Sequence, residues 1–193
     1  MQTKYWVLGI IALIAVFVIS GINAIPTLDE KIVANWSQVQ NQYQRRMDLV
    51  PNLVNTVKGY ATHERETFEA VTNARANATK VTINAGDLND PAAIERFEKA
   101  QGQLSSALSK LLAVSEKYPA LKAEHSFFVL QSQLEGTENR ISVARRDYIE
   151  SVQQYNTTIR TFPGMVWARI YGSKPKPNFT GTDGAEKVPE VKF

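Results

Sequence analysis

No cysteine occurs anywhere in the chain. That absence excludes disulfides, thiol catalysis and thiolate metal sites, and it rules out a lipoprotein signal. Histidine is nearly absent too, at two residues. His63-Glu64 begins the H-E-x-x-H pattern of a zinc helix, but Thr67 stands where the second histidine is required. His125 falls on a different predicted helix. There is no Gly-rich phosphate loop and no G-x-S-x-G nucleophile turn. No segment alternates apolar and polar residues with period two, so no sheet is expected. Surplus charge is missing as well. Of the net +3, Lys4 supplies +1 and residues 164–193 supply +2, which leaves residues 29–163 neutral. A nucleic-acid binder would show a basic stripe, so no nucleic acid is expected among the partners.

The most consequential absence is local. From Tyr5 to Leu28 no side chain is charged, and from Trp6 to Ile19 none is polar. The 20 residues from Tyr5 to Ala24 make a helix of roughly 30 Å, the thickness of a bilayer hydrocarbon core. A helix satisfies its own backbone groups in lipid, so the segment can span. Residues 1–28 are read as a transmembrane anchor, marked by Tyr5, Trp6, Ile10, Leu13 and Phe17, with Tyr5 and Trp6 as an interfacial pair. The rival is a cleaved secretory signal. Its cleavage chemistry is poor: a cut after Ala24 places Ile22 where a small residue is wanted, and a cut after Gly21 places Ile19 there. Lys4 and the amine outweigh Asp29, Glu30 and Lys31, which weakly keeps the N-terminus cytoplasmic. The expected location is the bacterial cytoplasmic membrane, single-pass, with the side of the soluble body left open.

Beyond the anchor, the chain reads as helix. Pro26 ends or kinks the anchor, and Thr27 with Glu30 offers a capping box for a new helix. Apolar residues at Ile32, Trp36, Val39, Tyr43, Met47, Val50, Val54, Val57, Ala61, Phe68 and Val71 step by threes and fours with one gap, at Glu64. They predict one long helix to about Thr79. Pro51 interrupts it with either a kink or a full break. Arg45, Arg46 and Asp48 just before it are a solvated face, or bond carbonyls that the kink releases. Residues 80–90 are a loop, with Asn89 or Asp90 capping the next helix and Pro91 opening it. Lys117-Tyr118-Pro119 stops that helix. A third runs from near Pro119 to Phe162, with Phe127, Leu134, Ile141, Tyr148, Tyr155 and Phe162 spaced by seven throughout. A sustained heptad is a coiled-coil-type seam, serving the bundle or an oligomer. Glu138 and Arg145 lie seven apart on the seam itself. They either fix its register or lie on its flank while Thr137 and Ala144 face inward. The fold class is therefore all-α: an N-terminal transmembrane helix, then an elongated antiparallel bundle of three to four long helices over residues 29–163.

Residues 164–179 mix aromatic and basic side chains. Trp167, Arg169, Tyr171, Lys174 and Lys176 read as a membrane-interfacial foot, or else as a short helix on the bundle end with a basic exit. Residues 180–193 read as a disordered tail.

Several blocks together resemble the LemA family of bacterial membrane-anchored proteins. They are Ala34-Asn35-Trp36, residues 45–54 (RRMDLVPNLV), Lys58-Gly59-Tyr60-Ala61 and His63-Glu64. Next come Ser115-Glu116-Lys117-Tyr118-Pro119, Leu121-Lys122, Leu130-Gln131, Leu134-Glu135 and Thr137-Glu138-Asn139-Arg140-Ile141. Arg145-Arg146, Tyr155-Asn156 and Phe162-Pro163 complete the set. One departure is Tyr148-Ile149, where the family pattern has Tyr-Asn. The resemblance implies a membrane helix, an all-α body and no catalytic residue or cofactor. It also implies a body in the cytoplasm, against the charge count above, and relatives associated with building intracellular membranes.

These readings converge on a non-enzymatic scaffold that homo-oligomerises at the membrane and organises or shapes it. The partners expected are the lipid bilayer, further copies of the chain and, in the adaptor alternative, another membrane protein such as a protease or transporter. An enzyme would require polar groups converging in a cavity of the bundle, with Glu64, Glu138 and Arg145 the residues to test.

Overall fold

Long apolar stripes on helices must find each other, and the computed structural model shows how they do. It describes residues 2–179, with the side chains of residues 2, 3, 14, 17 and 20 outside that description. Phe17 is one of these, and the expected tail at 180–193 also lies outside. The described residues are all-α. They form α1 (Gln2–Lys58), α2 (Arg65–Lys80), α3 (Pro91–Val114), α4 (Pro119–Lys122), α5 (His125–Arg160) and α6 (Gly164–Tyr171), with no strand among them.

Helix α1 is 57 residues long, about 85 Å. It passes through Pro26 and Pro51 without ending at either, which excludes an end at Pro26 and a full break at Pro51. The capping box at Thr27 does not form; the Thr27 hydroxyl instead donates to the Asn23 carbonyl of its own helix at 2.8 Å. The reason for continuity lies in the carbonyls that the prolines orphan. Proline has no N–H for the carbonyl four residues earlier. For Pro51 that carbonyl is Met47, and Arg75 Nε of α2 donates to it at 2.9 Å. For Pro26 it is Ile22, and the Tyr171 hydroxyl of α6 donates to it at 3.0 Å. Each proline is tolerated because a donor distant in sequence replaces the missing one.

The helix instead ends at Lys58, just before Gly59. Ala61 still donates to Val57 at 2.9 Å, but the chain then turns, and α2 starts after Glu64, the gap in the apolar stripe. The single helix expected to Thr79 is thus two antiparallel ones. Asp90 caps α3 as expected, accepting from the Ala92 N–H at 2.9 Å, with Pro91 at the first helical position. Before it, residues 85–89 form a 3-10 turn closed by the Asn84–Asp87 capping box. Helix α5 is shorter than expected, 36 residues from His125, because Glu124 caps it through the Ser126 N–H.

Helices α1 and α5 lie antiparallel, as the pairs Lys31–Gln154 and Arg140–Gln42 and the Asn35 donation to the Asp147 carbonyl record. Helix α2 covers α1 only beyond Met47, while the first turns of α3 reach lower, with Phe97 against Trp36 and Tyr43. The rod consequently has two cores. The upper one is mostly aliphatic: Val50, Leu53, Val57, Val71, Leu104, Leu108, Leu111, Leu121, Phe127 and Leu134, with Ala61, Ala74, Ala78 and Ala107 between. The lower one lies nearer the uncharged segment and is aromatic: Trp36, Tyr43, Phe97, Tyr148 and Tyr155, with Ile32, Val39, Ile94 and Ile141.

Candidate functional site

Between the two cores sits a charged belt that three helices build at one level. Arg46 of α1 is 1% exposed. Its guanidinium donates to Gln101 Oε1 at 2.6 Å and the Gln101 carbonyl at 3.2 Å on α3, to Ser105 Oγ at 2.7 Å, and to Glu138 Oε1 at 2.9 Å on α5. It also lies 4.9 Å from the centre of the Tyr43 ring. One turn lower, Arg145 of α5 pairs with Glu98 of α3 at 3.0 Å. A buried cation is stable only when its donors are used, and here only Nε of the Arg46 guanidinium lacks a partner. Burial pushes the Tyr43 hydroxyl up from its ordinary range, against the pull of Arg145 and Arg46. Thr137 and Ala144 face inward while Glu138 and Arg145 lie on the flank, where both make ion pairs.

Sequence reasoning missed Arg46 as a buried residue. The signal was available: Val39, Tyr43, Arg46 and Val50 step by four, three and four, as do Phe97, Gln101, Leu104 and Leu108 on α3. Polar residues at core spacing on separate helices mark a buried network.

The belt floors a groove of about 1000 Å³ between α3 and α5. Small residues, Gly102, Ser105, Ser106 and Ser142, keep its walls apart. Its carboxylates at Glu98 and Glu138 are held by arginines. Among the described residues no group of three or more His, Asp or Glu side chains is placed to hold a metal. His63 and His125 are exposed. Beside them, Tyr60 donates to Glu124 at 2.9 Å, and this bond is the main cause that lowers the Glu124 carboxyl and raises the Tyr60 hydroxyl.

At the lower end, α6 packs across α1 and α5. Gly21 of α1 leaves the space that the Trp167 indole fills; a Cβ there would overlap it. Gly172, at φ 64°, ends α6 in the left-handed region and turns the chain back. Residues 173–179 then run as a strap along the lower core. Asn156 clamps the backbone of Lys176 from both sides, accepting from its N–H at 2.8 Å and donating to its carbonyl at 2.9 Å. Phe179 closes on Trp36 and Tyr148 at ring distances of 5.7 and 5.3 Å, under Arg145 at 4.4 Å.

The structure sorts the expected site residues. Tyr5, Trp6, Ile10 and Leu13 are exposed on α1. Over the described residues alone, no helix is long and apolar enough to cross a membrane. Phe127, Leu134, Ile141, Tyr148 and Tyr155 are buried in one line within this chain. Phe162 is not: it lies beyond the end of α5 and is 74% exposed, because the helix stops at Arg160. Lys176 also departs from expectation. It is 7% exposed and pairs with Asp29 at 2.7 Å and Asn89 at 3.1 Å, so it is a strut of the fold rather than part of a foot. Arg169, Tyr171 and Lys174 are exposed, and Trp167 is half-buried.

The LemA family model matches residues 35–193, most of the chain. The chain belongs to the LemA family. Among its relatives, the magnetosome protein MamQ 2 of Paramagnetospirillum magneticum is 27% identical over 184 residues, covering 87% of this chain and 67% of the relative. MamQ of Magnetospirillum gryphiswaldense is 27% identical, covering 79% and 62%. Protein LemA of Metamycoplasma hominis is 24% identical, covering 69% and 58%.

Proposed function

We propose that this LemA-family protein is a single-pass, non-enzymatic scaffold of the bacterial cytoplasmic membrane that homo-oligomerises and organises or shapes the bilayer. One observation carries the reading. The uncharged run from Tyr5 to Leu28, whose apolar content is complete in the sequence, opens a helix that continues without a break into the body. Anchor and rod are then one continuous helix, with Pro26 inside it and no loop between them. The MamQ relatives, named for the magnetosome, support a role at a membrane-bounded structure. The Glu98 and Glu138 carboxylates of the α3–α5 groove are already committed to arginines, and the third, Glu95, is exposed, which favours architecture over proton transfer. Purification of the full chain in mild detergent, with mass measured by light scattering, tests the scaffold. The expected result is a defined multimer. A strict monomer at every concentration overturns it.

A second reading is an adaptor for another membrane protein, such as a protease or transporter. The α3–α5 groove favours it, since its size and mixed charge suit a polar segment of a partner. It predicts a one-to-one crosslinked complex and no self-association.

A further inference from the structure

The level at which α6 is held has a chemical meaning. Its Tyr171 bonds the Ile22 carbonyl, and its Trp167 fills the notch at Gly21. Both points lie inside the uncharged part of α1. Ile22 is seven residues before Asp29, the first charge after Lys4, or about 10 Å along the helix. Helix α6 is thus fixed at the edge of the apolar run, below the ring of charge that Asp29 and Lys176 begin.

Its two faces differ. Gly164 and Ala168 are buried against the bundle, and Trp167 and Tyr171 grip α1. The opposite face carries Met165, Val166 and Ile170, exposed at 44, 48 and 67%. An exposed apolar face of this kind sits poorly in water. On α1, Ile19 and Ile22, which flank the Gly21 notch in sequence, are exposed as well, at 61 and 38%. Arg169 stands exposed on the same arc, between Met165 and Val166, where its long stem lets the guanidinium reach outward, Lys174 is exposed just beyond α6, and no acidic residue occurs from 164 to 179.

We infer that α6 is an interfacial helix whose Met165, Val166 and Ile170 face enters the headgroup–acyl boundary of an anionic bilayer, while Arg169 and Lys174 contact lipid phosphates. The inference rests on the membrane-anchor reading and deepens it. It makes the bilayer contact two-point: a spanning helix plus a short helix across it, braced by Trp167. That arrangement fixes the tilt and rotation of the rod, because a single span alone leaves rotation about its own axis free.

The lack of native cysteine makes the test clean. Single substitutions Val166→Cys, Ile170→Cys, Ile10→Cys and Ser109→Cys are made in the full chain and labelled with an environment-sensitive fluorophore. The protein is reconstituted into phosphatidylglycerol-containing vesicles whose acyl chains are brominated near the headgroup or near the chain end. The expected result is blue-shifted emission at 166 and 170, with loss of intensity from the shallow bromines. Position 10 should respond more to the deep ones, and position 109 to neither. Quenching at 10 without quenching at 166 and 170 overturns this inference and leaves the anchor standing. No quenching at 10 overturns the anchor, and this inference with it. A shift at 170 that depends on protein concentration but not on bromine assigns the face to contact between copies and also overturns it. Arg169→Glu with Lys174→Glu should weaken shallow quenching at 170 in anionic vesicles more than in neutral ones. Equal quenching in both overturns the headgroup contact.

Discussion

The upper and lower halves of the rod solve one packing problem with different side chains. The upper half has four helices, and alanines at Ala61, Ala74, Ala78 and Ala107 let them approach closely around leucine and valine. The lower half has only α1 and α5 as complete walls. Its gaps are closed by the first turns of α3, by Ile83 and Leu88 of the loop, and by the strap. Rings fill that irregular space: Trp36 contacts Phe97 and Tyr148 edge-on, both at 5.2 Å. The lesson is that helix count sets side-chain size. Where helices run out, aromatic volume and non-helical covering replace them, and the Arg46 belt marks the change.

That contrast can be tested first at the belt. Arg46→Ala should destabilise the protein by about 3–5 kcal/mol, since Gln101 loses its partner and a buried cavity opens. Urea unfolding of the full chain in mild detergent measures it. Converting the network to apolar residues, Arg46→Met with Gln101→Leu and Glu138→Leu, should recover most of the loss and fuse the two cores. A loss with Arg46→Ala below that of a surface substitution would mean that the belt holds nothing.

Next come paired core truncations. Trp36→Ala and Leu111→Ala should each cost about 2–5 kcal/mol, but only the first should free the strap. Limited chymotrypsin digestion then separates the halves, with rapid cleavage after Phe179, whose ring packs on Trp36, in Trp36→Ala and protection in Leu111→Ala. Equal protection in both would mean that the strap does not depend on the aromatic core.

The lower core should also fail at high pH in a way the upper core does not. The buried Tyr148 hydroxyl has no hydrogen-bond partner, and burial raises it from 10.0 to about 12. A raised pKa in the folded state favours the neutral hydroxyl. Its contribution is complete below pH 10 and is lost as pH rises from 10 towards 12, by roughly 2–3 kcal/mol in all. Tyr148→Phe should therefore equal or exceed the wild type at neutral pH and lose less stability across that alkaline window. Parallel alkaline loss in both proteins would remove Tyr148 as the cause.

The smallest expected effect concerns the upper proline. Arg75→Ala should cost about 1–3 kcal/mol by leaving the Met47 carbonyl without a donor. In a Pro51→Ala background the helix supplies its own N–H, so the same substitution should cost less. Additive losses in this double-mutant cycle would refute the bridging role.

The sequence alone was enough for much of the fold. Threes and fours in the apolar spacing determined the helices, Asp90-Pro91 determined the start of α3, and the heptad from Phe127 to Tyr155 determined the buried line of α5. These are local or periodic facts, so the order of residues carries them. The family was legible too, in blocks from Ala34 to Pro163. What only the tertiary structure decided are matters between helices. Pro26 and Pro51 do not break α1, because Tyr171 and Arg75 arrive from 149 and 28 residues away. Arg46 is buried because Gln101 and Glu138 meet it, and Lys176 is a strut because Asp29 and Asn89 wait for it. A hydrogen bond to a distant donor leaves no period in the sequence; it exists only once the chain has folded back on itself.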